Sequence, residues 1–176
     1  PLVMGILNLT PDSFSDGGAL STCDLAIKKA ESMISDGVDI IDLGGESTRP
    51  GAEKIPLEEE WRRVEGVLTK ILELKIHVSI DTMKPEIMMR AVELGVDLIN
   101  DVSGFRSKET LDFLKAMKKT RIGFCIMHMQ GNPKTMQDSP RYGDVVSEVE
   151  FFLQGKVSEF QRSGISEDRI LIDPGF

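Results

Sequence analysis

Cysteine is scarce in this chain and long apolar runs are missing. Cys23 and Cys125 stand far apart and form no ligand-like spacing, so no disulfide framework is implied and reduced thiols in a cytoplasmic protein are expected. No apolar run approaches the roughly 20 residues that cross a bilayer, and no basic region precedes the first apolar stretch; neither a membrane helix nor a signal peptide is visible. Basic side chains are outnumbered, 21 Lys and Arg against 29 Asp and Glu, and the net charge of -8 argues against a nucleic-acid or anionic-membrane surface. GxGxxG, Walker, HExxH, EF-hand and GxSxG patterns are absent, as is a Ser-His-Asp order, which removes the common hydrolase classes.

What is present fits one soluble domain over residues 1–176, with 40% hydrophobic and 28% charged residues in a chain long enough for a sizeable core. Short apolar runs alternate with helical patterns, the mark of strand–helix units that build a parallel sheet. Strands are expected at Leu2 to Asn8, Val38 to Leu43, Ile76 to Asp81, Val96 to Asn100, Ile122 to Met127 and Ile170 to Asp173. Helices are expected from Ser21 or Thr22 to a stop at Gly37, from Pro56, from Pro85 to Gly95, from Ser107, and from Asp144 to Gly164, with Trp61 in the core. Asp36 to Asp42 and Leu94 to Asn100 repeat one helix stop and strand entry, so the units are of one kind and build either a barrel or a doubly wound sheet. Functional-looking residues end every strand instead of clustering at one crevice, which selects the α/β (β/α)8 TIM barrel. Such a barrel takes about 250 residues. The chain opens in a strand without an initiator Met and supplies six of the eight units, so a fragment lacking the C-terminal part is expected.

The first strand delivers Asn8 into a loop, Leu9 to Gly18, that surrounds Phe14 with hydrogen-bonding side chains. Asn8 offers the neutral oxygen that a hard divalent cation accepts alongside phosphate. Three later strands end alike, in Asp81, Asn100 and Asp173. Carboxylates at the mouth of an apolar barrel need donors. Each could cap a following helix or accept backbone amides from a neighbouring loop; together they suit a ligand with several donors. The loop Gly44 to Gly51 places Thr48 and Arg49 among glycines, where a phosphate can approach the backbone and the guanidinium can fork a phosphate or carboxylate. His77 and His128 read as structural.

Asn8-Leu9-Thr10-Pro11-Asp12-Ser13-Phe14-Ser15-Asp16-Gly17-Gly18 resembles the first signature of the dihydropteroate synthase family. Further matches follow in the family's order: Asp42 to Gly51, Ser79 to Thr82, Ile99 to Gly104, Met127 to Gly131 and Asp173 to Phe176. The resemblance implies a transferase of folate biosynthesis that condenses p-aminobenzoate with 6-hydroxymethyl-7,8-dihydropterin diphosphate and releases pyrophosphate. It implies that Asp81, Asn100 and Asp173 hold the pterin ring, that Met127 lines its pocket (core packing being the alternative), and that Thr48 contacts the diphosphate. Arg49 would help bind pyrophosphate and p-aminobenzoate, Phe176 would pack on that ring, and Asn8 would contact Mg²⁺; no residue is assigned as acid or base. A homodimer is expected of the full-length protein, with no nucleic-acid or membrane partner. The family's later Lys, Arg and His are not in this sequence, so the chain alone is expected to be inactive or badly impaired. The alternatives are a pterin-dependent methyltransferase domain and a non-catalytic pterin-binding barrel.

Overall fold

The computed structural model describes residues 1–10, 22–47, 54–131 and 141–175. Strand and helix alternate through β1 (Met4–Asn8), α1 (Thr22–Ser35), β2 (Ile40–Gly44), α2 (Leu57–Glu73), β3 (His77–Asp81), α3 (Pro85–Leu94), β4 (Leu98–Asp101), α4 (Thr110–Met117), β5 (Gly123–Met127), α5 (Val145–Arg162) and β6 (Ile170–Asp173). The six strands form one sheet in the order β1-β2-β3-β4-β5-β6, and every neighbouring pair is parallel. This is a partial (β/α)8 barrel in which each helix returns the chain to the next strand in line.

Side chains on a strand alternate between faces, and residues paired across parallel strands share a face. The first rule turns short apolar runs into a two-sided sheet. Leu7, Ile41, Leu43, Val78, Ile80, Ile99, Phe124 and Ile126 all join the core that the helices cover. α2 contributes Val64, Val67, Leu68 and Ile71 to it, a 3.6-residue stripe, while Glu58, Glu59 and Glu60 occupy its first turn, where the helix dipole favours acid. Around Phe124 the aromatic rings meet edge to face, with centroids 5.9 Å from Phe105, 6.2 Å from Phe113 and 5.3 Å from Phe160. The opposite face carries Asn8, Asp42, Gly44, Ser79, Asp81, Asn100, Gly123, Cys125, Met127 and Asp173, which the registers bring side by side. The apolar members of that face on the two edge strands, Ile6 and Leu171, are exposed.

Several expected boundaries move. Strands begin a residue or two later than the apolar runs suggest, because entry residues bond elsewhere: the Val3 N–H donates to the Asp39 carboxylate at 2.7 Å instead of joining a ladder. α4 starts at Thr110, since Ser107 closes a turn ahead of it by accepting from the Thr110 N–H at 3.2 Å. Trp61 is not a core residue. Half-buried, it packs against the edge of the core with the Arg90 guanidinium 5.5 Å over its ring, and Val64, Val67, Leu68 and Ile71 take the buried stripe. α5 is capped as read: Asp144 accepts from the Val146 and Ser147 N–H groups at 3.2 and 3.3 Å.

Replacing Phe160 by Ala should destabilise the chain by about 3–5 kcal/mol in urea unfolding, the usual cost of an aromatic cavity. Phe151, on the same helix but 82% exposed, should change stability by less than about 0.5 kcal/mol on the same substitution.

Candidate functional site

The C-terminal strand ends gather the polar face into one acidic patch. Asn8, Gly44, Asp81, Asn100 and Cys125 lie in a single register row across five strands, and Asp42 and Ser79 form the row below. Met127 and Asp173 are paired at the far end. Of the residues expected to act together, Asn8, Asp81, Asn100, Met127 and Asp173 therefore share one face and one end of the sheet. Thr48, Arg49 and Phe176 lie outside the described residues, as does most of the loop from Leu9 to Gly18.

Asp42 belongs to this patch too, a role that sequence reasoning did not give it. It is 4% exposed, and its Oδ2 accepts from the Asn100 amide at 3.0 Å across the intervening strand. That bond fixes the Asn100 side chain and leaves its carbonyl oxygen for a ligand. Burial raises the Asp42 pKa, against the opposing pull of Ser79 and Asn100. Asp81 is more strongly affected: burial pushes its pKa well above the ordinary carboxylate range, and Asp42, Asp101, Glu60 and Glu46 add like-charge repulsion. Asp42 Oδ1 and Asp81 Oδ1 are buried without a hydrogen bond, and so is the hydroxyl of Ser79, the register neighbour of Asp42. The Cys125 thiol reports the same field, its pKa pushed up to about 12 by burial and by Asp173, Asp42 and Asp81.

Gly44, read as the first residue of a loop, is the last residue of β2. A Cβ there would stand 3.2 Å from Asn8 Oδ1 and 3.6 Å from Asp81 Oδ2, so the glycine keeps the space between those side chains open. The signal was available, since Asp42 and Gly44 are two residues apart on a strand and so share a face.

Asp173 differs from the other acids. It is only half-buried, and one oxygen accepts from the Gly175 N–H at 2.8 Å, so a local turn satisfies part of it, which is the structural role that had been weighed against a ligand-holding one. That turn rests on His128, whose N–H donates to the Asp173 carbonyl at 2.8 Å. At φ +75°, Gly175 passes so near that a Cβ would be 2.1 Å from the His128 carbonyl oxygen. Burial lowers the His128 pKa, and its ring lies against Phe152 and Tyr142, in keeping with a scaffold residue. His77, 71% exposed beside Asp97, stands at the other end of the sheet.

A large cavity of about 1240 Å³ lies between α5 and β6, with Val149, Leu153, Val157 and Ile172 in its walls, and it reaches the strand ends, where Met127, Pro174 and Gly175 line it beside Asp173. It is the apolar flank of an edge strand, which in a closed barrel the next unit covers. Met127 belongs both to this lining and to the polar face, whereas Asp42, Asp81 and Asn100 are not in the lining.

The family model described as "Pterin binding enzyme" matches residues 4–176. The dihydropteroate synthase of Neisseria meningitidis serogroup B is 47% identical over all of this chain and 62% of its own length, and that of Escherichia coli K12 is 46% identical with the same coverage. Among solved structures, a Xanthomonas albilineans dihydropteroate synthase with 4-aminobenzoic acid superposes with a TM-score of 0.90 at 44% identity, over 100% of this chain and 62% of that one. A Burkholderia cenocepacia dihydropteroate synthase complexed with 7,8-dihydropteroate gives 0.85 at 44% identity, over 100% and 59%. The chain thus spans about 62% of the length of these two curated relatives. Matched by the family model over residues 4–176 and by these relatives at 46–47% identity, the chain belongs to the pterin binding enzyme family.

Proposed function

We propose that the protein carrying this chain is a dihydropteroate synthase, joining p-aminobenzoate to 6-hydroxymethyl-7,8-dihydropterin diphosphate with release of pyrophosphate. The observation that carries this reading is the pair of buried carboxylate oxygens without donors, Asp42 Oδ1 and Asp81 Oδ1, beside the Asn100 amide. A pterin edge presents adjacent N–H donors with acceptors next to them, the complement of acids and an amide on one face. In this reading Asp81, Asn100 and Asp173 hold the ring, Met127 lines its pocket, and Asp42 acts by holding Asn100. The relatives of known name, with their complexes of 4-aminobenzoic acid and 7,8-dihydropteroate, support the same substrates.

The residues suit a reaction without a general acid or base. The C–O bond to the diphosphate breaks, the C–N bond to the amine forms, and the surplus amine proton leaves to solvent or pyrophosphate. Positive charge grows on the exocyclic methylene as the C–O bond lengthens, and an acidic patch at the strand ends stabilises it where it forms. Holding the ring still contributes by orientation. Thr48 and Arg49, taken from the resemblance, meet the diphosphate and help bind p-aminobenzoate, whose ring Phe176 packs against.

Mg²⁺ is part of the proposal. Among the described residues no group of three or more His, Cys, Asp or Glu is arranged to hold a metal, and Asn8 presents one neutral oxygen beside the space above Gly44. This sparse set fits an ion that keeps water and takes oxygens from a diphosphate. Asn8 would hold it, and the bound ion would neutralise charge on the leaving pyrophosphate. A cytoplasmic location and a homodimer complete the reading; the free thiols of Cys23 and Cys125 support the location.

Asp81→Asn should weaken binding of 6-hydroxymethylpterin by about 10- to 100-fold in titration calorimetry, because a ligand donor then meets an amide. The same variant should melt higher than the parent at about pH 8. A carboxyl whose folded pKa is raised adds stability below its ordinary pKa and loses that contribution as pH climbs through the folded value, so the gain from Asn should shrink toward about pH 4. Excess EDTA should abolish pyrophosphate release by the protein at its natural length while pterin affinity holds, and Asn8→Ala should raise the Mg²⁺ concentration needed for half-maximal release.

A further inference from the structure

A second polar assembly stands behind the acidic patch, toward the helices, and the reaction does not use it. Glu46 follows β2, Glu60 lies in the first turn of α2, Thr82 comes directly after β3 and Lys84 immediately precedes α3. The Lys84 ammonium sits between the Glu46 and Glu60 carboxylates and donates to both. Glu60 also accepts from the Thr82 hydroxyl at 2.6 Å, that hydroxyl accepts from the Lys84 N–H at 3.2 Å, and Glu46 accepts from the Ile55 N–H at 3.1 Å. The glutamate side chains are 7% and 1% exposed, and Lys84 is 23% exposed.

A buried bridge of this kind is a poor source of stability, because desolvation offsets most of the attraction and apolar packing of the same volume does as well. Its placement gives it another use. Each tie lands beside a residue of the patch. Thr82 adjoins Asp81, and its N–H donates to the Asn100 carbonyl at 3.1 Å. Glu46 lies two residues past Gly44, the spacer between Asn8 and Asp81. With Lys84 removed, two buried like charges would face each other and move apart, taking the tips of β2 and β3 with them.

The geometry points to Lys84 as a positioning residue for pterin binding: by drawing Glu46 and Glu60 together it holds the tips of β2 and β3 at one spacing and sets where Asp81 stands. This inference rests on the reading of the patch as a pterin site. Lys84 does not touch the ligand, so its effect runs through Asp81.

The test is a double-mutant cycle on the protein at its natural length, with 6-hydroxymethylpterin affinity as the readout. Lys84→Met should weaken binding about tenfold in the parent and less than about twofold in an Asp81→Asn background, where there is no carboxylate left to misplace. Lys84→Arg, which keeps the charge, should stay within about threefold of the parent. Thr82→Val, close in shape to the parent, should weaken binding about threefold and keeps the inference testable if Lys84→Met does not fold. Equal losses from Lys84→Met in both backgrounds, or none from Lys84→Met or Thr82→Val, would overturn the positioning role. A folded parent that does not bind the pterin would instead overturn the functional reading, and this inference with it.

Discussion

Carboxylates removed from water without a donor to meet them are the constraint on which the rest of this molecule depends. Asp42 and Asp81 are 4% and 9% exposed, and each keeps one oxygen without a protein donor. A fold selected for stability alone would place apolar or hydrogen-bonded groups there, since an unpaired buried carboxylate costs several kcal/mol or takes up a proton. The repulsion among Asp81, Asp42, Asp101, Glu60 and Glu46 adds to that cost. On the proposed function it is a socket whose remaining partners a ligand supplies.

The cost is borne by the other face of the same sheet. Leu7, Ile41, Leu43, Val78, Ile80, Ile99, Phe124 and Ile126 alternate with the polar residues and pack under the helices, so each strand serves core and site at once. The interlocked rings of Phe105, Phe113, Phe124 and Phe160 anchor β5 from the helix-covered face, opposite the one where Met127 and Asp173 pair. A rigid layer of this sort can hold strand tips against electrostatic repulsion that loops could not resist.

Two polar layers meet at the tip of β3. On one side Asp81 faces the open end of the sheet; on the other, Thr82 hands a hydrogen bond to Glu60 and so to the bridge through Lys84. Adjacent residues point to opposite faces, and this places an acid of the strand-end patch and a partner of the Lys84 bridge one residue apart. Asp101 shows the same economy beside Asn100: turned to the helix side, it accepts from the Ser103 and Phe105 N–H groups and shapes the loop after β4.

The sequence by itself determined the six strands, their alternation with helices, and the polar residues Asn8, Asp81, Asn100 and Asp173 that end four of them. Apolar runs, turn formers and helix caps act over a few residues, so they are legible locally. The resemblance named the chemistry, although Thr48, Arg49 and Phe176 lie outside the described residues and the structure does not place them. Only the tertiary structure decided that Asp42 holds Asn100, that Gly44 clears the space between Asn8 and Asp81, that Trp61 lies at the edge of the core, and that Lys84 reaches Glu46, 38 residues away in the chain. These depend on strand register and on which helix packs over which strand, contacts between distant segments that no local pattern encodes.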